Sequence, residues 1–264
     1  MDVAEFLDLR STHNPHRWIL PVQSKICTHG GFMFGGAGLA AAVAALESTC
    51  DRPLVWATAQ YLSFARPPAI VDIDVTIPVA GHNTTQARAI GRVLDSEIFT
   101  VNAALGSRPW PHTGQWAVPP DVPPPEDCPP MPEHGTSTEA IASRVDFRVA
   151  NGRFGPDRDG TLSRDGRSAL WARIPGIDMS AATLAIIADW IPSGTGQALG
   201  RMLYVSSLDN TLRVVHLRET EWVLCDIRMH AVANGYAHGT MHLWSEDSRL
   251  LATGSQSMVV CDRN

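Results

Sequence analysis

A proline-rich stretch in the middle of the chain sets the strongest limit on how the chain can fold. Ten prolines lie between Arg108 and Pro132. Each proline removes a backbone donor and favours extended backbone, so neither a helix nor a central strand is expected there. Structureless loops longer than about 15 residues are uncommon inside one domain. The stretch therefore predicts two domains, residues 1–107 and 138–264, joined by a linker over residues 108–137.

The two predicted domains have the same order of elements. Each contains a helix-forming run that is small and almost wholly apolar, Ala40–Leu46 in the first and Leu184–Trp190 in the second. A helix that is apolar on every side must be buried on every side. Four extended runs follow each helix, and the Asp-Ser pairs that begin at Asp95 and Asp247 occupy equivalent places, where they read as hairpin turns. A duplicated unit of one buried helix and an antiparallel sheet is the simplest interpretation.

Composition and charge argue against several classes of function. The net charge of −6 is spread thinly, without the clustered Lys and Arg that a nucleic-acid surface needs. No apolar stretch reaches the roughly 18 residues that span a bilayer, and acids near the N-terminus have the wrong sign for a signal peptide. The five scattered cysteines fit neither a disulfide framework nor a zinc site. We therefore expect reduced thiols and a cytoplasmic protein that binds neither nucleic acid nor membrane.

Five short motifs follow one another in a distinctive order along the two halves. They are His29–Gly36, Tyr61–Pro67, Ala169–Arg173, Ser207–Asn210 and Ala252–Gln256. In this order they resemble the acyl-CoA thioesterase II family, over about residues 13–107 and 138–262. The resemblance implies an α+β fold of the double hotdog type, in which two tandem hotdog units each have a central helix wrapped by an antiparallel β-sheet.

The same resemblance implies an activity, namely hydrolysis of acyl-CoA to a free acid and CoA in lipid and fatty acid metabolism. It assigns the positioning and activation of water to Asp189, Ser207 and Gln256, where the family usually has Thr in place of Ser207. Backbone N–H groups would stabilise the oxyanion, with the loop at His29 as one possible source. No cofactor or metal is required. The expected partners are the acyl-CoA substrate and further copies of the chain, as a homo-oligomer.

The positions of these residues can also be judged without the resemblance. Asp189 lies in the last predicted turn of its helix, where the helix dipole disfavours a carboxylate and apolar neighbours would raise its pKa. Because this place is unfavourable for a carboxylate, Asp189 is better explained by a function than by stability. The alternative interpretation is that Asp189 is an exposed residue at a frayed helix end. Ser207 and Gln256, judged alone, would be ordinary strand residues. Asp209 and Asn210, on the same strand as Ser207, are either further site residues or structural partners.

Several other features receive structural interpretations. His29 reads as part of a glycine turn, while the role of Glu47 is left open. His238 and His242 share one face of a strand but have no identifiable third ligand for a metal. The segment Ser193–Gly196 follows Pro192 and is predicted to be a loop. The proposed lining of an acyl tunnel is Trp190, Met241 and Trp244.

Two alternatives to hydrolysis stay open at this point. The first is a hotdog enoyl-CoA hydratase or dehydratase, for which His29 is the only histidine near the start of a helix. The second is a non-catalytic acyl-CoA-binding protein, which the serine at position 207 leaves open.

Overall fold

The structure, a computed structural model, describes residues 1–132 and 138–262. Residues 133–137 of the predicted linker lie outside the described part. The helices are α1 (Val3–Leu7), α2 (Gly35–Cys50), α3 (Ala181–Ala188) and α4 (Ile191–Leu199). The strands of the first half are β1 (Arg10–Ser11), β2 (Arg17–Pro21), β3 (Leu54–Tyr61), β4 (Ile70–Ala80), β5 (Thr84–Val93) and β6 (Ser96–Gly106). Those of the second half are β7 (Asp146–Asn151), β8 (Arg167–Arg173), β9 (Leu203–Ser207), β10 (Asp209–Val214), β11 (Val223–Ala233), β12 (Tyr236–Ser245) and β13 (Leu250–Asp262).

These strands form one continuous antiparallel sheet. Its order is β1-β2-β4-β5-β6-β3-β10-β13-β12-β11-β8-β7, with β9 pairing onto β13 outside that path. The two halves join where β3 pairs with β10, and the hydroxyls of Thr58 and Thr211 lie 2.7 Å apart across that junction. The predicted hairpin turns at Asp95 and Asp247 are confirmed, because they connect β5 to β6 and β12 to β13.

The helices α2, α3 and α4 pack against this sheet. Helix α2 packs against β3, β4, β5 and β6, while α3 and α4 pack against strands of the second half. Every residue of α3 is buried, and so is α2 from Gly36 to Val43. Burial on all sides is therefore confirmed for the second apolar run, and for the first run, Ala40–Leu46, with the exception of the half-buried Ala44. The two helices also pack against each other, which brings the beginning of α2 to the end of α3.

The prediction of a loop at Ser193–Gly196 is wrong, because these residues lie within α4. Pro192 occupies the first turn of α4 rather than ending the helix before it. Proline suits that position because its missing N–H would have no partner inside the helix anyway. Gly200, in the left-handed conformation at φ 64°, then ends the helix. The predicted helical run Leu184–Trp190 accordingly ends its helix at Ala188, and Asp189 and Trp190 form the joint between α3 and α4.

The predicted extended run from Leu203 to Leu217 is also divided. Leu208 separates β9 from β10, and its backbone binds two other strands: its N–H donates to Ser257 and its carbonyl accepts from Tyr61. Strand β9 continues along β13, whereas β10 lies between β13 and β3. Position 207 is therefore the last residue of one strand, beside the junction of the two halves.

The described part of the proline-rich segment crosses the outer face of the second half of the sheet. We call residues 115–130 the strap. Trp171 Nε1 donates to the carbonyl of Pro123 at 2.9 Å, and the Gln115 side chain accepts from the Leu250 amide at 2.9 Å. A second apolar cluster lies beneath the strap and includes Trp171, Trp222 and Trp244. The sheet of the second half is therefore covered by apolar contacts on both faces. Among the described residues, no helix is long and apolar enough to cross a membrane.

Candidate active site

Asp189 caps the C-terminal end of α3 and is almost completely buried, at 4% exposure. Its two carboxylate oxygens accept from different elements. Oδ2 accepts the backbone N–H of Gly36 at 2.5 Å, and Oδ1 accepts from Asn210 Nδ2 at 3.2 Å and from Gln256 Nε2. The acid thus joins the first turn of α2 to two strands of the second half.

Burial changes the ionisation of this carboxyl group. Desolvation raises the pKa of Asp189 to about 7, while the hydrogen bonds from Gln256, Gly36 and Asn210 and the Ser207 hydroxyl act in the opposite direction. The predicted rise in pKa is therefore confirmed in direction. A base whose pKa lies near neutral pH combines a usable ionised fraction with real proton affinity, which is what general base catalysis requires.

Glycine is required where α2 approaches Asp189. A Cβ atom on Gly36 would lie 2.8 Å from Asp189 Cβ and 3.0 Å from the carbonyl oxygen of Ile186. A Cβ atom on Gly35 would lie 2.9 Å from Asp189 Oδ2. Sequence reasoning treated this pair only as part of a motif and missed its contact with the acid. The available signal was a glycine pair at the start of a buried helix, where a close approach of backbone is a common reason for glycine.

The three residues expected to handle water lie together. Gln256, on β13, is buried, and its Nε2 donates both to Asp189 and to Ser207 Oγ, the latter at 3.3 Å. Ser207, at the end of β9, is half-buried and faces the cavity described below. The arrangement forms a polar cluster around one carboxylate at the wall of a cavity. It can hold a small polar molecule beside a base, and the catalytic role of each residue stays a prediction.

The neighbouring residues Asp209 and Asn210 have different roles. Asn210 is fully buried and donates to Asp189, so it belongs to the site. Asp209 points to the opposite side of β10 and accepts from the backbone N–H of Ser257 at 2.6 Å, which is a structural contact within the sheet. Tyr61, which sequence reasoning did not single out, lines the same cavity next to Asp189, and its hydroxyl is buried.

The remaining candidates lie outside this cluster. His29 is exposed in the turn before α2, where Gly31 has φ 72° and Arg66 Nη1 donates to the Gly30 carbonyl at 2.9 Å. Glu47 accepts from the Leu54 amide at 2.8 Å and so connects the end of α2 to β3.

The histidine pair, His238 and His242, lies on β12. His238 is exposed and contacts Ser257 Oγ at 3.2 Å. Within residues 1–132 and 138–262, no group of three or more His, Cys, Asp or Glu side chains could hold a metal ion.

A cavity of about 1300 Å³ opens beside Asp189 and is lined by both halves of the chain. Aromatic side chains dominate the wall near the acid. Trp190 packs between Phe34 and Phe147, with ring centroids 4.6 Å and 4.8 Å away. Trp190 therefore lines the cavity as predicted. The prediction is wrong for the other two residues: Met241 is fully buried in the main core, and Trp244 lies on the opposite face of the sheet, beneath the strap.

Residues 125–260 match the family model described as the acyl-CoA thioesterase C-terminal domain. The chain belongs to the acyl-CoA thioesterase family. A solved structure of a candidate thioesterase from Novosphingobium aromaticivorans is 32% identical, with a TM-score of 0.84, over 94% of this chain and 96% of that one. Membership of this family makes the protein a thioester hydrolase, as the sequence motifs indicated.

More distant structures share the fold. A protein from Alicyclobacillus acidocaldarius, described as having a hot dog fold, is 20% identical with a TM-score of 0.87, covering 99% of this chain and 98% of that one. An acyl-CoA thioesterase II from Mycobacterium marinum is 18% identical with a TM-score of 0.77, covering 99% of each chain. The hotdog fold is therefore confirmed. No curated protein sequence matches the chain.

Proposed function

We propose that this thioesterase hydrolyses acyl-CoA to a free acid and CoA, with Asp189 as the general base. The observation that carries the proposal is the buried carboxylate itself, which lies at the wall of the cavity with its pKa raised to about 7. Burial of an acid costs free energy unless it is compensated, and here three donors hold the acid in one orientation. Such an arrangement suits a proton acceptor at neutral pH.

In the proposed reaction a water molecule adds to the carbonyl carbon of the thioester and gives a proton to Asp189. The tetrahedral intermediate then collapses, the C–S bond breaks, and the CoA sulfur leaves and takes up a proton. Ser207 and Gln256 would position the water. Gln256 suits this role because its Nε2 binds Asp189 and Ser207, while its buried Oε1 has no partner among the described residues and can accept from water.

We further propose that the two halves are two hotdog units, residues 1–107 and 138–264, connected by residues 108–137. Two observations support this division. Each half contributes its own strands and its own buried helix to the sheet, and the described linker residues contain no strand and only one short 3-10 turn, at Pro125–Asp127. The cavity lies between the two helical ends, so both units would contribute to one site.

We further propose a cytoplasmic location and assembly into a homo-oligomer. All five cysteines are unpaired, which suits a cytoplasmic enzyme of lipid and fatty acid metabolism. Formation of a homo-oligomer stays a prediction, which light scattering of the purified protein would test.

The test of the proposed function measures release of free thiol from a series of acyl-CoA substrates. We expect thiol release by the wild type and at least a 100-fold lower kcat for Asp189→Asn, since general base catalysis typically contributes a factor of about 10²–10⁴. Asp226→Asn is the matched control. The carboxyl of Asp226 also has its pKa raised by burial, but it does not line the cavity.

The outcomes separate the three functions. Equal rates for wild type and Asp189→Asn would show that Asp189 is not the base. Loss of enoyl absorbance without thiol release would instead indicate a hydratase. Tight binding of acyl-CoA with no turnover, measured by calorimetry, would indicate a binding protein.

A further inference from the structure

We propose that the hydroxyl of Tyr61 is a catalytic group, which donates a hydrogen bond to the thioester carbonyl oxygen as that oxygen becomes an oxyanion. This inference rests on the proposed function. It adds a side-chain donor to the backbone N–H groups before α2 that the sequence predicted for this stabilisation.

The backbone donors before α2 are largely occupied. The N–H of Gly36 binds Asp189. The N–H groups of five loop residues donate to other protein oxygens; these residues are Thr28, Gly30, Gly31, Met33 and Phe34. An oxyanion needs donors that are free and aimed at it before the reaction begins, because reorganising bound donors would cost part of the gain. The loop therefore offers few of the donors that this role requires.

Tyr61 lies where such a donor is needed. It is the last residue of β3, its backbone N–H donates to Leu208 at 2.9 Å, and its ring lines the cavity. The position of a hypothetical Cβ on Gly35 lies 2.9 Å from Asp189 Oδ2 and 3.1 Å from Tyr61 Oη. Oδ2 of the proposed base and the Tyr61 hydroxyl therefore both lie next to Gly35, no more than about 6 Å apart. A reacting carbonyl group near Gly35 would lie within reach of both.

The hydroxyl is free to make this hydrogen bond. Tyr61 Oη is buried, and its proton has no acceptor among the described residues. The Asn210 side chain lies beside it, and its hydrogen bonding favours the ionised phenol, so Asn210 acts as a donor toward Oη and leaves the phenol proton available. A buried hydroxyl without a partner carries an unfavourable desolvation cost, which a substrate oxygen would offset on binding.

The raised pKa of Tyr61 also suits a hydrogen-bond donor. Burial raises the pKa of the phenol well above its usual value, and the negative charge of Asp189 raises it further. The hydroxyl therefore keeps its proton at neutral pH. It would donate a hydrogen bond throughout the reaction without transferring that proton. When the C–S bond breaks, an electron pair on this oxygen re-forms the C=O double bond, and the negative charge passes to the departing CoA sulfur, which takes up a proton.

The experiment compares Tyr61→Phe, which removes only the hydroxyl, with the wild type and with Tyr236→Phe. Tyr236 is exposed, lies at the start of β12 and does not line the cavity. We expect kcat of Tyr61→Phe to fall roughly 100-fold or more, because loss of one oxyanion donor typically costs about 10²–10³ in kcat. KM should change little, since the lost interaction is made mainly in the transition state. Tyr236→Phe should match the wild type.

Two CoA analogues separate catalysis from structure. An S-alkyl-CoA thioether has no carbonyl oxygen, so its affinity for Tyr61→Phe should equal its affinity for the wild type. A trifluoromethyl ketone analogue of acyl-CoA, whose hydrate resembles the tetrahedral intermediate, should bind more weakly by about the factor lost in kcat/KM. The melting temperature should not fall, because the hydroxyl proton has no acceptor to lose among the residues that the structure describes.

Several results would overturn the proposal. The first is a kcat for Tyr61→Phe within about threefold of the wild type. The second is an equal loss of affinity of Tyr61→Phe for the thioether and for the trifluoromethyl ketone. The third is a failure of Tyr61→Phe to fold, which would show that the hydroxyl is needed for the structure. Failure of this inference is distinct from failure of the proposed function. An active Tyr61→Phe with an inactive Asp189→Asn removes only the role of Tyr61, whereas a fully active Asp189→Asn removes the proposed base itself.

Discussion

The backbone N–H of Gly36 donates a 2.5 Å hydrogen bond to Oδ2 of Asp189, and the contact joins the beginning of α2 to the end of α3. The carboxylate lies at the negative end of its own helix, which disfavours its charge, and at the positive end of the other, which favours it. Desolvation raises the pKa of Asp189 to about 7, and the hydrogen bonds from Gln256, Gly36, Asn210 and Ser207 act in the opposite direction. The acid can therefore change its charge state near neutral pH.

The rate of hydrolysis should follow the ionisation of Asp189. Only the ionised carboxylate can accept a proton, so kcat/KM should rise with pH up to about 7 and level off above it. Asn210→Ala removes a donor that favours the ionised form, and the midpoint of its profile should therefore move to higher pH. The measurement is thiol release across pH 5–9, on the order of one point per half unit. A profile that stays flat through neutral pH would contradict the assignment.

The stability of the folded protein should depend on pH through the same residue. The pKa of Asp189 is raised from 3.8 to about 7 on folding, so the folded state holds this proton more tightly. The contribution to the free energy of unfolding is therefore complete below about pH 4, is lost as pH rises toward 7, and stays lost above that. Asp189→Asn lacks this dependence, so its stability relative to wild type should increase by on the order of 3 kcal/mol between pH 4 and pH 8.

Urea unfolding of both proteins at several pH values checks this prediction. Asp226→Asn serves as the comparison, because Asp226 is a less buried acid whose pKa is also raised by burial. A difference in the free energy of unfolding between wild type and Asp189→Asn that is constant with pH would contradict the prediction. It would show that Asp189 has the same pKa in the folded and unfolded protein.

Substitution of Gly36 should impair both stability and activity. In Gly36→Ala the new methyl group would meet Asp189 Cβ at 2.8 Å and the Ile186 carbonyl oxygen at 3.0 Å, so α2 and α3 must separate. Overpacking of this kind typically costs about 1–3 kcal/mol, and displacement of the base should lower kcat by roughly 10-fold or more. Gly254→Ala is the control, since the nearest atoms to its new methyl group would lie at 3.6 Å. Thermal melting and thiol release would show whether the two variants differ.

The hydroxyl of Ser207 should matter more than the size of its side chain. Ser207→Ala removes the oxygen that Gln256 Nε2 contacts at 3.3 Å, and kcat should fall roughly 10-fold or more if that oxygen positions water. Ser207→Thr keeps the oxygen and restricts χ1, so its kcat should equal or exceed that of the wild type. Equal activity of the alanine variant would exclude a role for the hydroxyl.

The strap should contribute stability without contributing to catalysis. Trp171→Phe removes the hydrogen bond from the indole Nε1 to the Pro123 carbonyl, on the face of the sheet away from the cavity. The expected cost is about 1 kcal/mol in the free energy of unfolding, with kcat unchanged. Chemical denaturation and thiol release measure the two effects separately. A large loss of activity would show that the strap influences the site.

The parts of the fold that sequence reasoning predicted correctly depend on local patterns. The apolar runs of α2 and α3 could be read as buried helices because no polar face was present, and the Asp-Ser pairs marked hairpins through turn chemistry. The burial of Asp189 followed from its apolar helical neighbours. The prediction of α4 failed because a proline can either stop a helix or begin one, and the local sequence around Pro192 allows both.

The parts that could not be predicted depend on contacts between distant residues. No local pattern shows that Gly36 would meet Asp189 or that Tyr61 would border the same cavity. The error at Trp244 has a related cause. Strands of the second half are apolar on both faces, because the strap covers the outer face. The usual alternation of polar and apolar residues is therefore missing, and the sequence could not show which face borders the cavity.

The glycine pair at the start of α2 changes how sites of this kind can be recognised in other sequences. An acid at a helix end is common, and so is a glycine pair at a helix start, so neither one is diagnostic by itself. The informative signature is their combination, two small residues and a carboxylate separated by more than half of the chain, here 153 positions. A natural variant that fills the small-residue position while keeping the acid would therefore be expected to have given up this chemistry, although every residue usually counted as catalytic is still present.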